Sequence, residues 1–239
     1  MAQLARRRTE PRMTREVICA DSREVIRTLQ SDTYDLTILD PDYQDWEHLC
    51  TQGFIEEAVR VTKPTGNLIC FTKQPFDLLL RNKVEPWFRR EIIWSFTNGG
   101  AWVSNKMPLV SHQKIYWLVK SKDFFINVRT GLEYPEGTKS FKRSTKQFGG
   151  WVGEGKQFIK SEEGTWIRDH YQFNKLNTGA IPSKPQELIN IMVNCFSPCE
   201  GLVFDPFWGS GTTGRVADEL GRSVFGIDIN PERGRNDNT

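Results

Sequence analysis

The chain has 239 residues, of which 38% are hydrophobic and 26% charged, a composition typical of a soluble globular protein of one domain. Because the net charge is only +2, any contact with nucleic acid has to come from local basic patches. The sequence has no apolar run of membrane-spanning length, no signal-peptide core and no C-x-x-C pair among its five cysteines. We therefore expect a cytoplasmic protein without membrane contact, disulfide framework or metal site.

The first half of the chain alternates predicted strands with predicted helices. Residues 1–16 carry five arginines against two glutamates and are expected to form a solvated basic arm. After this arm, the patterns predict strands at 17–20, 34–39, 68–71, 91–96 and 114–119, and helices at 22–30, 47–62 and 75–83. This alternation predicts an α/β domain whose mostly parallel sheet is covered by helices on both faces.

A polar segment, residues 128–180, interrupts the alternation before the next predicted helix at 183–196. Within 138–160, six basic residues stand against one acidic residue, with aromatic residues between them. Such a pattern suits contacts to phosphates and stacking on bases, which makes Lys142, Arg143 and Lys146 candidate nucleic-acid ligands. A long solvated loop with its aromatic side chains tucked under it would have the same composition, so both interpretations stay open at this point.

The stretch 202–231 predicts a strand, a glycine loop, a helix and a second strand. Apolar runs at 202–204 and 223–227 flank a helix at 212–220. Gly209, Gly211 and Gly214 follow the spacing G-x-G-x-x-G, and Asp228 comes about 20 residues later, as in dinucleotide-binding folds. Taken alone, the motif predicts a nicotinamide oxidoreductase, or an ordinary βαβ turn whose glycines only allow close packing.

Asp205 argues against a dinucleotide. It closes the first of these strands where a dinucleotide site accepts its pyrophosphate, and a carboxylate there repels phosphate and attracts a cation. A cofactor with an ammonium group near Asp205 and a ribose near Asp228 fits both acids. S-adenosyl-L-methionine has this shape, and we predict it as the cofactor.

Two motifs together resemble the amino-directed DNA methyltransferases, which methylate adenine N6 or cytosine N4. The first is the tetrapeptide Asp40-Pro41-Asp42-Tyr43 after a predicted strand, and the second is the loop DPFWGSGTT that starts at Asp205. The order, with the catalytic tetrapeptide first and the cofactor loop last, is that of the family's permuted β group. Weaker pieces resemble the same group, namely the acid before the catalytic strand (Asp21), the K-P-x-E-L helix start (184–188) and the late hairpin strand (112–120).

The resemblance implies a three-layer, Rossmann-like methyltransferase fold with an antiparallel late hairpin. Residues 17–127 and 181–239 would form a single catalytic domain, and residues 128–180 would be an inserted target-recognition region. The strands that precede Asp40 and Asp205 would be neighbours, so that cofactor and target base meet where the strand order reverses.

The resemblance also implies roles for individual residues. Asp40 and the carbonyl of Pro41 would accept hydrogen bonds from the target amino group, and Tyr43 would stack on the flipped base. The implied cofactor-binding residues are Asp21, Lys184, Asp205, Phe207, Gly209, Ser210, Gly211, Thr212 and Asp228.

The tetrapeptide departs from the usual D-P-P-Y at its third position, where this chain has Asp42. The change removes a stiff proline and adds a charge beside the base. We expect an active enzyme that methylates adenine N6 in double-stranded DNA, because family members with Asp at the first position mostly act on adenine. Cytosine N4, RNA and a catalytically silent DNA-binding relative remain alternatives, and a homodimer and a restriction endonuclease partner stay open.

Overall fold

The computed structural model of the chain describes residues 14–42, 45–98, 108–130, 133, 141–142, 157–158, 162, 164–175 and 183–230. The strands of this part of the chain are β1 (Arg15–Cys19), β2 (Tyr34–Leu39), β3 (Thr62–Thr72), β4 (Phe88–Ser95), β5 (His112–Val119), β6 (Phe141–Lys142), β7 (Gln157–Phe158), β8 (His170–Gln172), β9 (Leu202–Asp205) and β10 (Ser223–Asp228). The helices are α1 (Ser22–Thr28), α2 (Trp46–Thr51), α3 (Phe54–Val61), α4 (Phe76–Val84), α5 (Gln186–Phe196) and α6 (Thr212–Glu219), with a 3-10 turn at Glu85–Trp87. Among these helices, none has the length and apolar character to cross a membrane.

Eight of the described strands form one sheet in the order β1-β10-β9-β2-β3-β5-β4-β8. Neighbouring strands are parallel except at β5, which runs antiparallel to both β3 and β4. This confirms the predicted parallel sheet with an antiparallel late hairpin. Strands β6 and β7 form a separate antiparallel pair outside this sheet.

Helices cover both faces of the sheet, which gives the three predicted layers. On one face, α5 and α6 bury Met192 and Val216 in a common core, and on the other, α1 to α4 bury Ile26, Trp46 and Leu80. Because both faces are covered, the central strands are apolar almost without interruption.

The two strands that carry the site lie side by side, as predicted. Leu36 and Thr37 of β2 pair with Val203 and Phe204 of β9. Asp35 fixes the start of both strands, because its carboxylate accepts the backbone N–H of Leu202 at 2.9 Å and a hydrogen bond from a lysine of β3. The register of β2 against β9 therefore determines which residues emerge together at the carboxyl edge.

Some predicted elements have different limits in the structure. The helix predicted at 47–62 is two helices, because Gly53 adopts the left-handed φ of +77° between them and precedes the first residue of α3. Pro64 and Gly66 were expected to stop that helix, but they lie inside β3. A Cβ at Gly66 would be 2.9 Å from the carbonyl oxygen of Tyr34, so glycine allows β2 and β3 to approach closely here.

The two outermost strands of the sheet, β1 and β8, contain residues that were not predicted to form strands. Strand β1 begins at Arg15, two residues inside the predicted N-terminal arm, and it pairs with β10. Strand β8 lies inside the segment 128–180, which was predicted to have no regular structure, and it extends the sheet beside β4. The segment 128–180 thus contributes a strand to the edge of the sheet.

Candidate active site

The carboxyl ends of the parallel strands meet at one edge of the sheet, and a cavity of about 1200 Å³ lies there. Asp40 follows β2, Asp205 ends β9 and Asp228 ends β10, and all three line this cavity. Further predicted residues that line it are Asp21, Pro41, Lys184, Phe207, Gly209, Ser210 and Thr212. The fold thus brings the tetrapeptide and the glycine loop together, although they are far apart in the sequence.

The glycine loop turns sharply from β9 into α6. Gly209 and Gly211 have positive φ angles of +54° and +71°, which side chains with a Cβ rarely adopt, and Gly211 is the residue that precedes the first turn of α6. The backbone N–H of Gly209 donates to the Asp228 carboxylate at 2.9 Å. The loop is therefore held against the end of β10, where the predicted ribose partner lies.

Trp208 is a residue of this loop that the sequence analysis left unassigned. Its ring is buried, with 2% of the residue exposed, between Gly214 of α6 and Gly226 of β10. A Cβ at Gly214 or Gly226 would lie only 2.2 or 2.1 Å from atoms of the indole ring. The third glycine of the motif thus makes room for Trp208, as in the close-packing interpretation. The unassigned position between Phe207 and Gly209 gave no signal of this role.

Asp205 is the most deeply buried acid of the cavity, with 3% of the residue exposed. Its carboxylate accepts the backbone N–H of Phe207 at 3.0 Å and a hydrogen bond from the Thr213 side chain. Burial raises the pKa of Asp205 from 3.8 to about 6, and the negative charges of Asp40 and Asp228 add to the increase. The charges of these three acids together favour a positively charged group beside Asp205.

Asp228 is held by the backbone on both sides. One carboxylate oxygen accepts from Gly209 and the other accepts the N–H of Asn230 at 2.8 Å. An ionised carboxylate is an acceptor with about four lone-pair positions, which is the chemistry that the hydroxyl groups of a diol need. The chemistry of the two acids fits a cofactor with an ammonium group and a ribose.

Lys184 lies against the predicted catalytic acid. Its ammonium group donates to Asp40 Oδ1 at 2.5 Å and also reaches the other carboxylate oxygen, and it lies 5.0 Å from the centre of the Phe71 ring. The K-P-x-E-L motif predicted this lysine as a cofactor ligand, and that role stays a prediction. The contact with Asp40 was not predicted.

Asp21 lies at the other end of the cavity. It caps α1 by accepting the backbone N–H of Arg23 at 2.9 Å, and it forms an ion pair with the Arg23 guanidinium group. The hydrogen bond from the Arg23 side chain is the main reason that the pKa of Asp21 is lowered. Arg23 also lines the cavity, so an approaching ligand meets a carboxylate whose charge is already balanced in part.

Several predicted residues lie outside the described residues, and the structure says nothing of them: Tyr43, Arg143 and Lys146. Lys142 is described only as part of β6. In the part of the chain that is described, no group of three or more His, Cys, Asp or Glu side chains is placed to hold a metal ion.

A Rossmann-like sheet with a glycine loop and acidic residues at the carboxyl ends of neighbouring parallel strands is typical of the class of S-adenosylmethionine-dependent methyltransferases. The sequence places the chain more narrowly within this class. It belongs to the N6/N4 DNA methylase family, whose model matches residues 22–235.

Individual relatives agree with this assignment. The chain is 26% identical to the type II methyltransferase M.HpaI of Haemophilus parainfluenzae, in an alignment that covers 92% of this chain and 72% of that protein. The fold is similar to that of M1.HpyAVI in its complex with S-adenosylmethionine, with a TM-score of 0.60 and 19% identity over 93% of this chain and 97% of that one. It is also similar to that of the PvuII cytosine-N4-specific DNA methyltransferase, with a TM-score of 0.67 and 15% identity over 92% of this chain and 84% of that one.

Proposed function

We propose that the chain transfers a methyl group from S-adenosylmethionine to N6 of an adenine that is extruded from double-stranded DNA. One observation carries this proposal. Asp40 and Asp205 stand at the carboxyl ends of the neighbouring strands β2 and β9 and line the same cavity. A volume of about 1200 Å³ exceeds that of most small-ligand sites, which suits a cofactor and a base side by side.

The cofactor half of the cavity is supported by Asp205 and Asp228. Asp205 offers a buried carboxylate to an ammonium group, and Asp228 offers lone pairs to ribose hydroxyls. When bound, S-adenosylmethionine supplies an electrophilic methyl group. Asp21, Phe207, Ser210 and Thr212 line the same half and are proposed to contact it, and Gly211 fixes the turn that presents them.

The target half is proposed to act on the amino group of the base. Such a group is a poor nucleophile because its lone pair is delocalised into the ring. Hydrogen bonds from its two N–H groups to the Asp40 carboxylate and the Pro41 carbonyl would draw the nitrogen toward tetrahedral geometry and make the lone pair available. The new N–C bond would replace the methyl–sulfur bond of the cofactor, which would leave as a neutral thioether, and the nitrogen would lose a proton that Asp40 is placed to accept.

Lys184 holds the Asp40 carboxylate in a fixed orientation. Its ammonium group already holds both carboxylate oxygens before a base arrives, so the carboxylate has a fixed direction. Each oxygen can still accept from the base, because a carboxylate has about four acceptor positions. Lys184 is thus proposed as a positioning residue for Asp40 in addition to the predicted contact with the cofactor.

Extrusion of the base costs a few kcal/mol. Stacking on an aromatic ring returns ~1–3 kcal/mol per base, so Tyr43 would offset much of this cost. The segment 128–180 is proposed as the target-recognition region, with Lys142, Arg143 and Lys146 at phosphates. Adenine is favoured because the tetrapeptide begins with Asp40.

The proposal is tested by incubating the protein with tritiated S-adenosylmethionine and unmodified double-stranded DNA, followed by nucleoside analysis. The expected product is N6-methyladenine. Label in N4-methylcytosine would identify the other amino group of the family as the target. The absence of label in DNA, while the protein binds S-adenosylmethionine, would contradict the proposed activity.

A further inference from the structure

Two lysines lie in a part of the cavity that the cofactor is not proposed to occupy. Lys73 follows β3 directly, and Lys175 follows β8 by three residues. Strands β2, β3 and β8 point the same way, so these lysines emerge at the same edge of the sheet as Asp40, and both line the cavity. They stand on the side of Asp40 that is away from Asp205 and Asp228.

The backbone at Lys175 is firmly held. Asn98 accepts the backbone N–H of Lys175 at 2.8 Å and donates to its carbonyl oxygen at 2.7 Å. The preceding residue, Asn174, accepts both the N–H and the hydroxyl group of Thr97. These four hydrogen bonds join the end of β8 to the end of β4, so the position of Lys175 does not depend on a loop alone.

The ammonium group of Lys175 also has a defined position, next to an aromatic ring. It lies 3.9 Å from the centre of the Phe96 ring, and the residue is half-buried. Burial lowers the pKa of Lys175, and the positive charges of Lys73 and Lys184 lower it further. Among the described residues, no carboxylate forms an ion pair with Lys175. The positive charges of neighbouring lysines in a partly desolvated place favour the binding of a further anion.

The position of the two lysines indicates which anion this is. The cofactor has a carboxylate, but the two acids that are proposed to bind its ammonium group and its ribose, Asp205 and Asp228, end β9 and β10. In the sheet order, β3 lies two strands and β8 five strands from β9, at about 4.8 Å for each strand. Lys73 is exposed and Lys175 half-buried, so they lie toward the surface, whereas the base must reach Asp40. The phosphate groups of an extruded nucleotide stay with the DNA backbone outside the cavity, so a lysine at the rim is in reach of them when a base enters from this side.

We propose that Lys73 and Lys175 form a phosphate site at the rim of the cavity, and that it holds the backbone phosphate next to the extruded nucleotide. This inference rests on the proposed function, because it assumes that a nucleotide of DNA enters the cavity. It adds a second DNA contact, formed by one lysine of the catalytic domain and one lysine at the end of the segment 128–180, separate from the basic stretch 138–160.

The test compares Lys73→Ala, Lys175→Gln and the double variant with the unaltered protein in binding to an unmodified DNA duplex at several salt concentrations. Each lost phosphate contact should flatten the slope of log affinity against log salt by about 0.9, and the double variant by about twice as much. Lys175→Arg should keep most of the slope, because arginine also binds phosphate. The affinity for S-adenosylmethionine, measured by calorimetry without DNA, should remain unchanged.

Lys122→Ala is the matched control. Lys122 is exposed and follows β5, whose carboxyl end lies at the opposite edge of the sheet. Its removal should leave the salt slope unchanged, and an equal loss in this control would overturn the proposal. An unchanged salt slope in the double variant would also overturn the proposal. A loss that is confined to the affinity for S-adenosylmethionine would overturn it too, and would assign the lysines to the carboxylate of the cofactor. Because the readout is binding, it remains decisive even if no methyl transfer is found.

Discussion

Asp205→Asn tests the electrostatics of the cofactor pocket. The carboxyl group is buried, and its pKa is raised from 3.8 to about 6. A group with a raised pKa in the folded state stabilises the fold while it is protonated. This contribution is complete below pH about 4 and is lost as the pH rises through about 6. The difference of roughly two pKa units corresponds to about 3 kcal/mol.

Asparagine has nearly the same shape and carries no charge. Its carbonyl oxygen can accept the N–H of Phe207, and its NH₂ group can donate to the Thr213 hydroxyl, which is able to turn. The two proteins should therefore have similar stability near pH 4. At about pH 8, the Asp205→Asn protein should be more stable than the unaltered one by up to about 3 kcal/mol.

The assay is urea denaturation of both proteins without cofactor across this pH range. All other titrating groups are shared, so the difference between the two curves reports Asp205. A difference in unfolding free energy that does not change with pH would refute the argument. Cofactor binding should show the opposite preference, because the charge-assisted hydrogen bond is worth about 1.5–3 kcal/mol and is lost in the variant.

Three further predictions concern the ribose partner, the packing of the glycine loop and the tetrapeptide. Asp228→Ala should weaken S-adenosylmethionine binding by about 1.5–3 kcal/mol for each ribose hydrogen bond, and unchanged affinity by calorimetry in a folded protein would remove it from the site. Gly226→Ala should lower the free energy of unfolding by about 1–3 kcal/mol, because its Cβ would meet the Trp208 ring. Thermal unfolding of the double variant that also carries Trp208→Leu should show that part of this loss is recovered. Asp42→Pro should keep or raise the rate of methyl transfer by stiffening the tetrapeptide, and a loss of transfer with intact cofactor binding would give the Asp42 carboxylate a role of its own.

The central strands and the glycine loop were predictable because local patterns determine them. The apolar runs before Asp40 and Asp205 predicted β2 and β9, and the resemblance predicted that they are neighbours, as the structure confirms. The three layers follow from the same alternation of strands and helices.

The features that were missed depend on contacts between distant parts of the chain. The Lys184–Asp40 ion pair joins residues that are 144 positions apart, so no local pattern reports it. The close approach at Gly66 keeps Pro64 and Gly66 inside a strand, although both residues usually end secondary structure. Strand β8 has three residues and gains its hydrogen bonds only from the edge of β4, so its sequence is too short to show a period.

Trp208 illustrates a further limit. A tryptophan inside a glycine loop gives no sign of its direction, and only the folded chain shows that it fills the space left by Gly214 and Gly226. The same holds for Lys73 and Lys175, which no sequence motif connects. Their common place in the cavity follows from the strand order alone.

We propose that Asp40 acts on the target base and not on the cofactor. It is tested most directly by measuring tritiated methyl transfer to unmodified DNA with the unaltered protein and with Asp40→Ala, side by side, together with their affinities for S-adenosylmethionine. We expect label in adenine N6 with the unaltered protein, and no transfer by Asp40→Ala at nearly unchanged cofactor affinity. Transfer by Asp40→Ala at the rate of the unaltered protein would contradict it.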